Sequence, residues 1–74
     1  MFNYEFILHF NYEQASDKAR ERFDKFIEKY NANALGTEDR FLRIGFQSDR
    51  KIKQKDLEAE LKIKIGNFAR NNQR

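Results

Sequence analysis

Leu57-Glu58-Ala59-Glu60-Leu61-Lys62-Ile63-Lys64-Ile65-Gly66-Asn67-Phe68 admits two readings, and the choice between them sets the architecture of this 74-residue chain. Leu57, Leu61, Ile65 and Phe68 recur at spacings of four, four and three, which is one stripe of an α-helix. Leu61, Ile63 and Ile65 also alternate with Lys62 and Lys64, which is the period of a strand. Charge favours the helix. Asp56, Glu58 and Glu60 fall early, where a helix dipole is positive, and Lys62, Lys64 and Arg70 fall late, where it is negative. The sequence therefore predicts a helix over about 55–71 and a frayed tail from Asn71 to Arg74.

Upstream, the periods are clearer. Phe2, Tyr4, Phe6, Leu8 and Phe10 alternate with Asn3, Glu5, Ile7 and His9, an amphipathic and unusually aromatic strand over about 2–10. Asn11 follows as a candidate helix cap, with Gln14 in the capping-box position. Ala15, Ala19, Phe23, Phe26, Ile27 and Tyr30 then form one face of a helix over about 12–31. Glu21 and Lys25 make a favourable pair on its solvated side. Residues 31–39 read as a loop or a short irregular strand. Period two returns over about 40–47, with Leu42, Ile44 and Phe46 on one face and Phe41, Arg43 and Gly45 on the other. Gly45 inside a strand marks a bulge or a close backbone approach.

These elements make an α+β, two-layer sandwich of order βα(β)βα, with a small sheet and two helices on one face. If 33–38 pairs as a strand, the order resembles a ferredoxin-like fold without its last strand. Strand 1 is central in the complete fold; without the last strand it becomes an edge. An aromatic edge strand with no proline or lysine invites pairing with a second copy of the chain or with a partner's sheet. The expectation is a single domain that forms a homodimer, since small cores often need such help.

Composition narrows the function. With no cysteine and a single histidine, an ordinary zinc or iron–sulfur site lacks ligands, and no cofactor is implied. No stretch approaches the roughly 20 apolar residues of a membrane helix, and the N-terminus lacks signal-peptide character. A cytoplasmic protein with no membrane contact is expected. His9 lies about 13 Å along the strand from Glu5, too far for a direct hydrogen bond, so no acid–base pair forms. There is no nucleophile set and no Gly-rich phosphate loop. The sequence reads as non-enzymatic.

Two contact surfaces remain. Residues 49–74 carry eight basic and four acidic groups, and the basic excess lies in this third. Arg50, Lys51, Lys53 and Lys55 oppose a helix dipole, a conflict that a bound anion would relieve. Lys62, Lys64, Arg70 and Arg74 could extend that patch for a nucleic acid, with Phe41 beside Arg43 stacking on a base. The preferred reading is a small protein-interaction or regulatory factor, of a kind suited to a phage or plasmid. Its contacts would be Glu5, Ile7, His9, Phe41 and Arg43, on the sheet face turned away from the helices.

Overall fold

The computed structural model describes residues 1–38 and 41–72. Strand β1 is Phe2–His9, and its alternation has the expected consequence. Tyr4, Phe6 and Leu8 are buried on one face, whereas Glu5 and His9 are exposed and Ile7 is half-buried on the other.

Helix α1 spans Asp17–Tyr30 and starts later than Asn11 suggests. The Asn11 side-chain oxygen accepts from the backbone N–H groups of Glu13 and Gln14 and closes a local turn. Such side-chain bonds compete with helix formation, so Asn11 ends the strand instead of opening the helix. The cap is Ser16, whose hydroxyl accepts from the Ala19 N–H at 3.2 Å. Phe23 and Phe26 face the core. At the far end Asn31 turns left-handed with φ 51. Its N–H reaches the Glu28 carbonyl and the Ala32 N–H reaches that of Ile27, a Schellman ending.

Strands β2 (Asn33–Glu38) and β3 (Phe41–Ser48) form an antiparallel hairpin, so the irregular segment is a strand. Its irregularity is a bulge. The register runs from Ala34 opposite Ile44 to Gly36 opposite Arg43, leaving Leu35 as the extra residue.

The C-terminal third corrects the long helix. Helix α2 covers only Gln54–Leu61; it ends at Lys62, which is left-handed with φ 57, and strand β4 runs Ile65–Asn72. Asn71 and Asn72 therefore belong to a strand and not to a frayed tail, while Arg74 lies outside the described residues. The stripe itself was real: Leu57, Leu61 and Ile65 are buried and Phe68 packs against them. A spacing of four suits both periods, because four strand steps return to the same face. The spacing of three from Ile65 to Phe68 suits a strand only through a bulge. Asn67 supplies it, with φ 52, where Asn67 and Phe68 of β4 oppose the single residue Phe6 of β1. Phe68 is thereby returned to the core side, with its ring 5.8 Å from that of Tyr4. The early acidic charge also has a second use. Glu58 accepts from the Ile65 N–H at 3.0 Å while the Gln54 amide donates to the Ile65 carbonyl, so α2 side chains hold the first residue of β4.

The sheet order is β2-β3-β1-β4, all antiparallel. With the order βαββαβ this is a complete ferredoxin-like sandwich. The α+β class and both helices on one face are as the sequence implies; the missing last strand is not. β1 is consequently central. Its backbone groups are taken by β3 and β4, and the expected pairing of its edge with another chain has no edge to use. Tyr4, Phe6, Leu8, Phe26, Ile44, Leu57 and Leu61 form the fully buried centre, each contributing about 1.5–3 kcal/mol by burial.

Candidate functional site: the uncovered sheet face

Both helices cover the side of the sheet that carries Tyr4, Phe6 and Leu8. The opposite side is set by register. Antiparallel pairing puts His9 opposite Phe41, Ile7 opposite Arg43 and Glu5 opposite Gly45. On the other flank of β1, Glu5 faces Ala69 and Ile7 faces Gly66. The five residues expected to make contacts, Glu5, Ile7, His9, Phe41 and Arg43, thus lie on one continuous surface.

Its relief follows from the small residues. An added Cβ on Gly45 would fall 2.8 Å from Leu35 Cδ1, because the bulged Leu35 lies across β3 at that point. Leu35 is 52% exposed and Phe41 39% exposed, and the two frame a hollow of about 130 Å³ with Ile7 and Arg43. A second hollow, about 270 Å³, opens over Glu5, Ile7, Arg43, Asn67 and Ala69. His9 lies flat enough over β4 that a Cβ on Gly66 would sit 3.6 Å from its Nε2. Its ring meets Phe41 edge-on, with centroids 4.6 Å apart. His9 is thus held by an aromatic ring and a glycine. Leu35 escaped the sequence reading because it stands in a bulged strand without a period. The signal for it was Gly45, which asked for something to come close.

The basic residues divide between the two ends of the sheet. Arg50, Lys51, Lys53 and Lys55 are exposed around the β3–α2 connection and the start of α2. Lys62 and Lys64 are exposed beyond the end of α2, about 12 Å of helix rise away, beside the start of β4. They do not extend the first cluster. Arg70 does, since its guanidinium lies 5.6 Å from the Phe2 ring, and Phe2 pairs with Ser48 just before the basic connection. Phe41, at the far end of the eight-residue β3, is about 23 Å from that cluster.

The basic connection is anchored from below. The Tyr4 hydroxyl, on a side chain 1% exposed, donates to the Arg50 carbonyl and accepts from the Ile52 N–H, both at 2.7 Å. None of Arg50, Lys51, Lys53, Lys55 and Arg70 forms an ion pair with a carboxylate of the described residues. The bridge at the helical layer is elsewhere: Lys29 meets Glu60 at 2.6 Å, and the Tyr30 hydroxyl donates to the same carboxylate. Burial pushes the Glu60 carboxyl up, but those two hydrogen bonds and the ammonium charge outweigh it, and the group stays below its ordinary value.

Among the described residues no group of three or more His, Cys, Asp or Glu side chains could hold a metal, and no helix is long and apolar enough to cross a membrane. No protein family, curated protein or solved structure matches this chain.

Proposed function

We propose that this chain is a cytoplasmic protein that acts by contact, as an interaction or regulatory module, and not by catalysis. The observation that carries the reading is the uncovered sheet face, where Leu35 and Phe41 stand exposed around Ile7. A ferredoxin-like sandwich covers one side of its sheet, and large apolar groups on the other side favour burial against a second protein surface. The chemistry of that partner is legible here. It carries apolar groups for Ile7, Leu35 and Phe41, a cation for Glu5 and a carboxylate for Arg43.

The test is capture by tagged protein from its own host, after nuclease treatment, in three forms. Ile7→Glu and Phe41→Glu should each remove a captured protein that Lys51→Glu/Lys53→Glu retains. Loss with the lysine variant and retention with the other two would overturn the reading.

One observation favours a second reading, nucleic-acid binding. Arg70 joins Arg50, Lys51, Lys53 and Lys55 from another strand, and none of the five is neutralised by a carboxylate of the described residues. On this reading affinity for a labelled single strand falls by about 0.7–0.9 log units per log unit of salt for each phosphate contacted. Lys51→Glu/Lys53→Glu abolishes it. Binding indifferent to salt would sink it.

A further inference from the structure

We infer that the occupant of the uncovered sheet face is a second copy of this chain, crossed at nearly a right angle. The inference rests on the contact reading above and names its partner. The ground is that the face is complementary to itself about one particular axis.

The pattern is set by register. Taking Ile7 as origin, Arg43 lies one strand over on β3, and Glu5 lies one same-face step along β1. These two displacements are similar, about 4.8 Å and about 6.6 Å. A two-fold axis between two such faces, running diagonally through Ile7 and Gly45, therefore exchanges them. It brings Glu5 onto the partner's Arg43, and by symmetry Arg43 onto the partner's Glu5. The same axis takes Phe41, one strand over and one step the other way, onto the partner's Ala69. There the 270 Å³ hollow over Glu5, Ile7, Arg43, Asn67 and Ala69 receives the ring. Leu35, lying over Gly45, sits near the axis and meets its own copy.

Charge, bulk and hollow all find their complements under one operation. The resulting crossing is the orthogonal arrangement of packed sheets. A shift by one strand or one step separates Glu5 from the partner's Arg43; one step along β1, for example, sets Glu5 against Phe41 and Arg43 against Ile7.

The size is sufficient for a modest dimer. Four strands make a platform about 19 Å wide, and side-chain relief brings the covered surface to the order of 500 Å² per copy. Two copies reach the roughly 1,000 Å² at which specific interfaces begin.

Sedimentation equilibrium across micromolar concentrations tests it, with circular dichroism to check folding. Glu5 and Arg43 are both exposed, so their substitution leaves the core intact. Glu5→Arg alone and Arg43→Glu alone should each weaken the dimer at least about tenfold, because like charges then meet twice. The double variant Glu5→Arg/Arg43→Glu should restore it to within a few-fold of the original. A wild-type chain that stays monomeric throughout overturns the inference, and so does a dimer indifferent to all three variants. A monomeric chain whose host partner is still lost with Phe41→Glu would remove the second copy and leave the contact reading standing.

Discussion

Tyr4→Phe isolates a single hydroxyl on which the basic connection depends. The ring is retained, with its stack on Phe46 at 5.0 Å and its contact with Phe68. What disappears is one donor to the Arg50 carbonyl and one acceptor for the Ile52 N–H, both at 2.7 Å. Each such bond contributes about 0.5–1.5 kcal/mol net, and an orphaned buried partner costs more. Arg50 is exposed and Ile52 half-buried, so water reaches the carbonyl and partly the amide. That places the loss near 2 kcal/mol. A domain of this length has about 4–11 kcal/mol in total, so the change is large. It corresponds to a fall in Tm of about 8–16 °C. Urea denaturation of the two proteins gives the stability difference. Amide exchange gives its location, since Ile52 should lose protection selectively while the β1 amides keep theirs. A loss below about 0.5 kcal/mol, with Ile52 still protected, would refute the claim that this hydroxyl ties the sheet to the connection.

Further outcomes follow from other particular features. Asn67→Val should cost about 1–2 kcal/mol in urea denaturation, because a β-branched residue resists the left-handed conformation at φ 52, whereas Asn67→Gly should be close to neutral. The Glu60 carboxyl is held below its unfolded value by Lys29 and Tyr30, so its contribution is present above the unfolded value and lost as pH falls through the folded one. Stability measured below about pH 4.5 should therefore decline less steeply in Glu60→Gln than in the original chain. Gly45→Ala should leave the fold intact, since the 2.8 Å approach is to the mobile end of Leu35. The Leu35 methyl resonances should shift while those of the core do not.

The sequence made most of the layers legible and missed one strand. The aromatic alternation of Phe2 to Phe10 located the central strand because period two and burial coincide there. The stripe of Phe23 and Phe26 located α1 for the same reason with the other period. At Leu57 to Phe68 the two periods overlap. A spacing of four is shared by helix and strand, and the spacing of three belonged to a bulge at Asn67, not to a helical turn. That one substitution of period moved β1 from edge to centre and closed the surface first expected to act. That Glu5, Ile7, His9, Phe41 and Arg43 share one face was nonetheless legible, because it depends only on alternation in two strands whose period is clear. Leu35, Ala69 and the approach of Arg70 to Phe2 were not, since each is created by pairing between distant segments.

Cross-linking at a single introduced thiol tests most directly whether the uncovered face is the acting surface. The chain contains no cysteine, so Leu35→Cys places the only thiol beside the proposed axis and Lys51→Cys places it at the basic end. Treated with a short bis-maleimide at micromolar protein, Leu35→Cys should run as a covalent dimer and Lys51→Cys as a monomer. Equal yields from the two positions, or a dimer from Lys51→Cys alone, would contradict the account.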